Sequence, residues 1–285
     1  MSTNEAVLCV DAPDRKGLVA AIAGFLSQHD ANIVAFDEHV SPTEARFFAR
    51  VVFEMDGLVI GRDEIEPAFA PLARRYEMNW ALHFSDSPVR VGLLVSRHEH
   101  CLYDLLWRHR AGELPIQIPI VLSNHAELAE VAKFFDIPFE YCPILEGDKD
   151  AQERVMLNHL RQHDVHLVVL ARYMQILGPQ FLHHYHQRVI NIHHSFLPAF
   201  IGGRPYHQAY ERGVKLIGAT AHYATDDLDE GPIIEQDVCR VTHSDGVETL
   251  VRIGRDIERT VLARAVRMHA EHRVIVHGRR TIVFA

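Results

Sequence analysis

The chain has 285 residues, 48% hydrophobic and 24% charged, a composition that excludes disordered and collagen-like proteins. The formal charge of −9 argues against a nucleic-acid-binding surface, because phosphate contacts require clustered Lys and Arg. No apolar run reaches the roughly 20 residues of a membrane-spanning helix, and residues 1–6 lack a secretion-signal pattern. We therefore expect a cytoplasmic protein of two domains, with neither a nucleic-acid nor a membrane partner.

The first 84 residues read as a small β-α-β-β-α-β unit with a ferredoxin-like fold. Hydrophobic periodicity, turn residues and β-propensity define the elements. Pro67 and Pro71 lie in the second helix, where each removes a backbone hydrogen bond, so we expect this helix to begin late or to be kinked. The predicted elements are strand 6–10, helix 18–32, strands 33–40 and 46–55, helix 63–76 and strand 79–84.

This order of elements, with Asp11, Asp14 and the sequence Gly17-Leu18-Val19, resembles the ACT domain. The resemblance implies a regulatory module that often binds amino acids where two copies pair. Gly17 could leave backbone N–H groups free at a helix N-terminus for a carboxylate, so Asp14, Gly17 and Leu18 form a candidate effector loop. A unit that only builds an oligomer fits the same pattern, and both alternatives stay open.

A polar linker, residues 85–88, precedes a second and larger unit. The nearly continuous apolar run 89–95 is typical of a strand buried on both faces of a parallel sheet. Alternating strands and helices predict a Rossmann-like α/β fold with a mostly parallel sheet, so the predicted domains are 1–84 and 88–285. The further elements are strands 116–122, 139–142, 166–170, 189–192, 216–224 and 233–241, helices 126–135, 152–162 and 247–269, and a hairpin over 274–284.

Two polar residues stand at the end of strand 189–192. Asn191 and His193 are two residues apart, so their side chains share one face of an extended strand. Open α/β sheets bind ligands outside the carboxyl ends of their strands. An asparagine N–H can stabilise an oxyanion and a histidine can carry a proton near neutral pH, so the pair fits acyl transfer. A satisfied polar pair at a strand end explains the same residues.

A second segment, 225–234, carries four acidic residues before Gly231-Pro232. Such a sequence is ordinarily a solvated loop, but a carboxylate presented there could orient a histidine or a water molecule. Neither segment is decisive by itself.

Together, Asn-x-His-x-Ser-x-Leu-Pro at 191–198 and Leu-Asp-x-Gly-Pro-Ile-Ile at 228–234 resemble the formyltransferases that use formyltetrahydrofolate. The resemblance implies that Asn191 holds the formyl oxygen, His193 is the general acid or base, and Asp229 positions the protons. His194 and His222 are candidates for supporting roles. The folate pocket implied by the family is lined by Met174, Gln175, Ile176, Leu177, Thr225, Asp226, Asp227 and Leu228; without the family, the apolar residues of 174–177 are ordinary core.

Residues 96–100 indicate which formyl acceptor is used. Glycinamide ribonucleotide formyltransferases carry a glycine-rich phosphate-binding loop at this place, and this chain has Ser-Arg-His-Glu-His instead. The closing hairpin leaves no room for the tRNA-binding domain of methionyl-tRNA formyltransferases. With its ACT-like unit and the segment 202–210, the whole chain resembles the formyltetrahydrofolate deformylase family. The resemblance implies hydrolysis of 10-formyltetrahydrofolate to formate and tetrahydrofolate in one-carbon and purine metabolism, with no cofactor. A formyltransferase to a small amine and a catalytically silent folate or amino-acid sensor are the alternatives.

Two histidine clusters, 98–101 and 183–186, could in principle bind zinc. Neither has a partner elsewhere at a fixed spacing, so we predict no metal and assign both clusters to helix surfaces. The cysteines are scattered without a CxxC pair, which predicts reduced thiols. Paired ACT-like sheets and the long C-terminal helix predict a homodimer or homotetramer. The four cysteines are Cys9, Cys101, Cys142 and Cys239.

Overall fold

The computed structural model describes residues 4–199 and 205–285, which form two compact units. One unit contains the residues up to Pro88 together with 271–277 and 282–285, and the other contains 89–270 and 278–281. Within the described residues, no helix has the length and apolar character needed to cross a lipid bilayer.

The first unit is a four-stranded antiparallel sheet with two helices, in the predicted β-α-β-β-α-β order. The strands lie in the order β2-β3-β1-β4, the ferredoxin-like arrangement. Apolar residues of both helices pack with those of β1 and β3 in one core, including Phe25, Phe53 and Phe69. The elements are β1 Glu5–Pro13, α1 Leu18–Gln28, β2 Ile33–Ser41, β3 Arg46–Glu54, α2 Arg62–Tyr76 and β4 Asn79–Phe84.

The two helices of this unit differ from their predicted bounds. Helix α1 ends at Gln28 rather than Asn32, because Asp30 adopts a left-handed φ of 56° that ends the helical path. Helix α2 begins at Arg62, so the predicted late start is wrong. The Glu64 carboxylate accepts a hydrogen bond from the Gly61 N–H at 2.8 Å and closes the first turn, and a buried face holds the helix through both internal prolines.

The second unit contains a seven-stranded sheet in the order β11-β10-β9-β8-β5-β6-β7. The five strands from β9 to β7 run parallel to one another, and β10 runs antiparallel to both of its neighbours, β9 and β11. The predicted mostly parallel sheet is therefore confirmed. Its elements are β5 Val89–Val95, α3 His100–Arg110, β6 Ile116–Ser123, α4 Ala129–Phe134, β7 Phe139–Tyr141, α5 Lys149–Gln162, β8 Leu167–Leu170, α6 Pro179–His184, β9 Val189–His193, α7 Pro205–Glu211, β10 Leu216–Tyr223, β11 Ile233–Arg240 and α8 Val247–Ala270.

The order of the parallel strands reverses at β5. The chain passes outward from β5 to β6 and β7, then returns to β8 on the other side of β5. A crevice forms at such a reversal, outside the carboxyl ends of the strands. The carboxyl ends of β8 and β9, with Asn191 and His193, therefore lie beside the expected ligand crevice.

Several elements of the second unit were missed or mispredicted. Helix α4 covers 129–134 rather than 126–135, and α3, α6 and α7 were not predicted as separate elements. Helix α6 has six residues, too few for a helical period to stand out. Of the segment 202–210, residues 202–204 lie outside the described residues, and the remainder lies in α7. The closing hairpin is present as β12 Val274–His277 and β13 Arg280–Val283.

Candidate active site

The site begins with the pairing of β9 and β10. These antiparallel strands place His222 opposite Asn191 and Thr220 opposite His193. Cross-strand partners project from the same face of a sheet, so the amide and both imidazoles meet above one surface. The spacing that predicted a common face for Asn191 and His193 therefore also brings in His222.

Asp229 reaches the same surface from the loop after β10. Its backbone is left-handed, with a φ of 58°. The loop folds back tightly, since a Cβ atom at Gly231 would lie 1.7 Å from the Tyr223 carbonyl oxygen. Asp229 Oδ2 lies 3.2 Å from His193 Nδ1, and Oδ1 lies 3.6 Å from His222 Nε2. Residues from the two separate sequence segments, His193 and Asp229, thus form one buried group together with His222.

Hydrogen bonds fix how Asn191 is presented. His222 Nδ1 lies 3.0 Å from the carbonyl oxygen of Tyr223, which can only accept, so Nδ1 donates. In the neutral ring, Nε2 then accepts from Asn191 Nδ2 at 3.2 Å. One N–H of the Asn191 amide is occupied in this way, and the second is left to donate to a ligand.

The charge of Asp229 is set by its histidine partners. Burial alone would raise the pKa of Asp229, but its imidazole neighbours, His193 foremost, outweigh burial and hold the pKa well below its usual range. Asp229 is therefore a carboxylate at neutral pH. His193 turns Nδ1 toward it, while Nε2 is buried and has no hydrogen-bond partner among the residues described. That nitrogen is the atom available for proton transfer.

These residues line a cavity of about 600 Å³ in the second unit. The side chains of Met174 and Ile176 are 52% and 61% exposed, so they are not the ordinary core that the sequence alone suggested, whereas Leu177 is 7% exposed and packs in the core as well. Asp227 is exposed and does not line the cavity. The predicted residues on its wall are Met174, Gln175, Ile176, Leu177, Asn191, His193, His194, His222, Thr225, Asp226, Leu228 and Asp229.

Two buried hydroxyl groups position the wall and were missed in the sequence. Ser96, at the end of β5, accepts from the Met174 N–H at 3.0 Å and so holds the loop after β8. Thr220 donates to the Ser195 carbonyl at 2.9 Å and accepts from the Leu197 N–H at 3.0 Å. The turn that follows His193 is thereby tied to β10. Single serines and threonines carry no sequence signal for such a role.

A second buried carboxylate, Glu258 of α8, stands at the same cavity and was also missed. Its side chain is 1% exposed, and its oxygens accept from His100 Nε2 at 2.7 Å and from the Tyr206 hydroxyl at 2.6 Å. Arg172 Nε lies 3.4 Å away. Burial alone would raise the pKa of Glu258, but the His100 hydrogen bond, the Arg172 charge and the Tyr206 hydrogen bond lower it to about 2.

Glu258 gives the first histidine cluster a partner that the sequence did not reveal. Ligand-type atoms of His100, Cys101 and Glu258 lie within 4.8 Å of one another. The arrangement fits an ion pair better than a metal ion, because both Glu258 oxygens are already engaged and the Arg172 guanidinium would repel a cation. Burial also raises the pKa of the Cys101 thiol well above its usual value, which disfavours a thiolate ligand.

The candidate effector loop belongs to the first unit, whereas His183 of the second histidine cluster contacts Asp226, a residue of the cavity wall. Asp14 and Gly17 are exposed, and Gly17 precedes α1 with a φ of 94°. Leu18 is 2% exposed and packs in the core of the first unit, so its side chain is closed to a ligand. In the second cluster, His183 pairs with Asp226 at 3.2 Å.

Comparison with known proteins identifies both halves of the chain. The formyl transferase family matches residues 89–266 and the ACT domain matches residues 6–62. Formyltetrahydrofolate deformylases from Synechocystis sp. and Bacillus subtilis are 50% and 49% identical, covering 100% and 97% of this chain and 100% and 93% of their own lengths.

A solved structure agrees with this relationship. The crystal structure of a formyltetrahydrofolate deformylase from Pseudomonas syringae pv. tomato matches with a TM-score of 0.98 at 45% identity, covering 100% of this chain and 96% of that one. The two expected folds and the expected family resemblance are confirmed. The chain belongs to the formyltetrahydrofolate deformylase family.

Proposed function

We propose that this enzyme hydrolyses 10-formyltetrahydrofolate to formate and tetrahydrofolate in one-carbon and purine metabolism. The observation that carries the proposal is the convergence of Asn191, His193 and Asp229 on one cavity wall, in a chain that matches deformylases over its full length. Folate is the substrate, and the reaction needs neither a metal nor a cofactor.

The folate ring is held by the apolar part of the wall. The partly exposed side chains of Met174, Ile176 and Leu228 offer flat contact area to a pterin, while Thr225 and Asp226 supply polar groups beside it. Gln175 and Leu177 complete this part of the wall. A ligand so held presents its formyl group to the reactive side chains.

Water is the nucleophile. Its oxygen bonds to the formyl carbon as His193 Nε2, which has no partner in the described structure, takes one water proton. The Asp229 carboxylate stabilises the resulting imidazolium through Nδ1, because its lowered pKa makes it an ion rather than the proton acceptor. The formyl oxygen becomes an oxyanion that accepts from the free N–H of Asn191.

Collapse of the tetrahedral intermediate completes the reaction. The carbon–nitrogen bond breaks, and the proton on His193 passes to the departing folate nitrogen. The formic acid released gives its proton to solvent and becomes formate. His222 is a positioning residue, because it bonds Asn191 and approaches Asp229.

The test is incubation of the purified enzyme with 10-formyltetrahydrofolate in the absence of any amine. Formate and tetrahydrofolate are expected in equal amounts over many turnovers. Turnover that begins only when an amine is added would identify a formyltransferase. A protein that binds folate without turnover under either condition would be a sensor.

Asn191→Ala tests the proposed oxyanion donor. We expect kcat to fall by about 100-fold, since one such donor contributes on the order of 10²–10³ in rate. The matched control is Asn158→Ala on α5, where the side chain is exposed and away from the cavity. An Asn191→Ala enzyme with a kcat near that of the control would remove Asn191 from the mechanism.

We further propose that residues 1–84 regulate and residues 88–285 catalyse, in a cytoplasmic homodimer or homotetramer. The ACT match over 6–62 supports an amino-acid effector near Asp14 and Gly17. Sedimentation of the purified protein with and without added amino acids tests the subunit number and its dependence on an effector.

A further inference from the structure

The cavity has a second part that the proposed folate contacts do not use. The lining residues close to Glu258 are His98, Arg172 and His194, and with Arg255 they are here named the arginine lobe. His194 connects the lobe to the reactive groups, because it follows His193 in the chain and their ring centroids lie 5.2 Å apart. A molecule in the lobe would therefore lie beside the reacting carbon.

Arg172 is the main unexplained group of the lobe. It follows β8 with a left-handed φ of 64°, and its side chain is only 9% exposed. The ion pair with Glu258 involves Nε at 3.4 Å, and this buried nitrogen makes no hydrogen bond within the described parts of the chain. A buried donor without an acceptor is costly, and Arg172 lines the cavity, so its guanidinium is expected to meet a ligand.

The remaining groups make the lobe electropositive. Arg255 is exposed and has no carboxylate partner within the described parts of the chain. Burial and the Arg172 charge lower the pKa of His194 to about 3. Burial and the positive charges of Arg172, His100 and Arg255 likewise lower the pKa of His98. Two guanidinium charges thus stand against the carboxylate of Glu258, and Asp229, which also acts on His194, is paired with His193 and His222. The two guanidinium groups therefore favour an added anion.

A carboxylate matches this site best. The planar guanidinium fork presents two parallel N–H groups that fit the two oxygens of a carboxylate. Formate is the smallest carboxylate, and the proposed hydrolysis would generate it beside His193. We propose that the arginine lobe binds the formate released by hydrolysis, with Arg172 as its bidentate partner and Arg255 as a second cation. The inference rests on the proposed function.

Binding of ¹³C-formate to the full-length enzyme, followed by NMR without folate, tests this inference. Wild type is expected to bind formate saturably. Arg172→Lys keeps the charge beside Glu258 but loses the fork, so we expect about tenfold weaker formate binding. Arg255→Gln changes an exposed side chain and should weaken binding about threefold. Arg252→Gln, on the same helix but outside the cavity, is the control and should match wild type.

Several results would overturn the inference. Formate that does not saturate wild type, or that binds both variants as tightly as the control, removes the subsite. Inorganic phosphate that displaces formate at far lower concentration, and whose binding is lost in Arg172→Lys, assigns the lobe to another anion. If the KM for formyltetrahydrofolate rises in the two variants as much as the Kd for formate does, the arginine lobe binds the carboxylates of folate instead.

Hydrolysis measured on the same samples separates the two proposals. A wild-type enzyme that hydrolyses formyltetrahydrofolate but does not bind formate removes only the arginine-lobe inference. A wild-type protein that binds formate through Arg172 but does not hydrolyse formyltetrahydrofolate leaves the anion site and removes the proposed function.

Discussion

Two buried carboxylates, Asp229 and Glu258, stand at one cavity and differ in their partners. Burial alone would raise the pKa of each, and in each case the neighbours lower it instead. Asp229 faces the imidazoles of His193 and His222, a side-chain type suited to general acid–base catalysis. Glu258 contacts one histidine, His100, and in addition the Arg172 guanidinium and the Tyr206 hydroxyl, whose pKa is raised by burial. The partners, rather than burial, decide which carboxylate can take part in proton transfer.

Removing the charge of Asp229 should have the largest effect. We expect Asp229→Asn to lower kcat about 10³-fold, because a neutral amide cannot stabilise the imidazolium of His193. The matched control is Asp227→Asn in the same loop, whose side chain is exposed and outside the cavity, and it should retain nearly full kcat. Equal kcat values for the two variants would mean that Asp229 has no role in the chemical step.

Removing the charge of Glu258 should instead affect folding. In Glu258→Gln, Arg172 becomes a buried cation without an anion, so we expect a loss of about 3 kcal/mol in the free energy of unfolding. Urea denaturation measures it. Glu248→Gln, exposed in the first turn of the same helix, should change the free energy by less than about 1 kcal/mol. A Glu258→Gln variant as stable as this control would show that the Glu258 charge does not stabilise the fold.

Gly254 of α8 gives a finer test of the Glu258 contacts. A Cβ atom there would lie 2.0 Å from the Tyr206 hydroxyl, so Gly254→Ala must displace the ring that bonds Glu258. We expect a net loss of about 1–2 kcal/mol, although alanine is the better helix former. Gly24→Ala in α1, where the added methyl meets nothing within 4 Å, should gain up to about 1 kcal/mol.

The smallest expected effect is a pH dependence from His194, which lies near both carboxylates. Its pKa is about 3 in the folded chain, against an ordinary value of 6.5. The unfolded chain therefore binds this proton first, so the stability contribution is complete above pH 6.5 and is lost as the pH falls toward 3.

Denaturation at several pH values measures this loss. His194→Gln should flatten the decline between pH 6.5 and 4.5 by on the order of 1 kcal/mol. His243→Gln, at an exposed site, should leave the wild-type slope unchanged. Identical slopes for both variants would show that other groups cause the decline.

Local sequence patterns predicted the features that depend on residues close together in the sequence. β-Propensity and continuous apolar runs predicted both sheets, and the two-residue spacing predicted the common face of Asn191 and His193, whose roles stay predictions. The Glu258 cluster could not be predicted, because His100 and Glu258 are 158 residues apart and meet only through tertiary packing. Gly231 and the left-handed backbone of Asp229 are likewise visible only once the loop is folded against Tyr223.

The register between β9 and β10 has a consequence for how this protein can vary. Asn191 and His222 meet because they are direct cross-strand partners. A one-residue insertion or deletion within either strand would turn every following side chain to the opposite face. Length changes should therefore accumulate in the exposed connections and be absent from these two strands, even where substitutions of single strand residues are accepted.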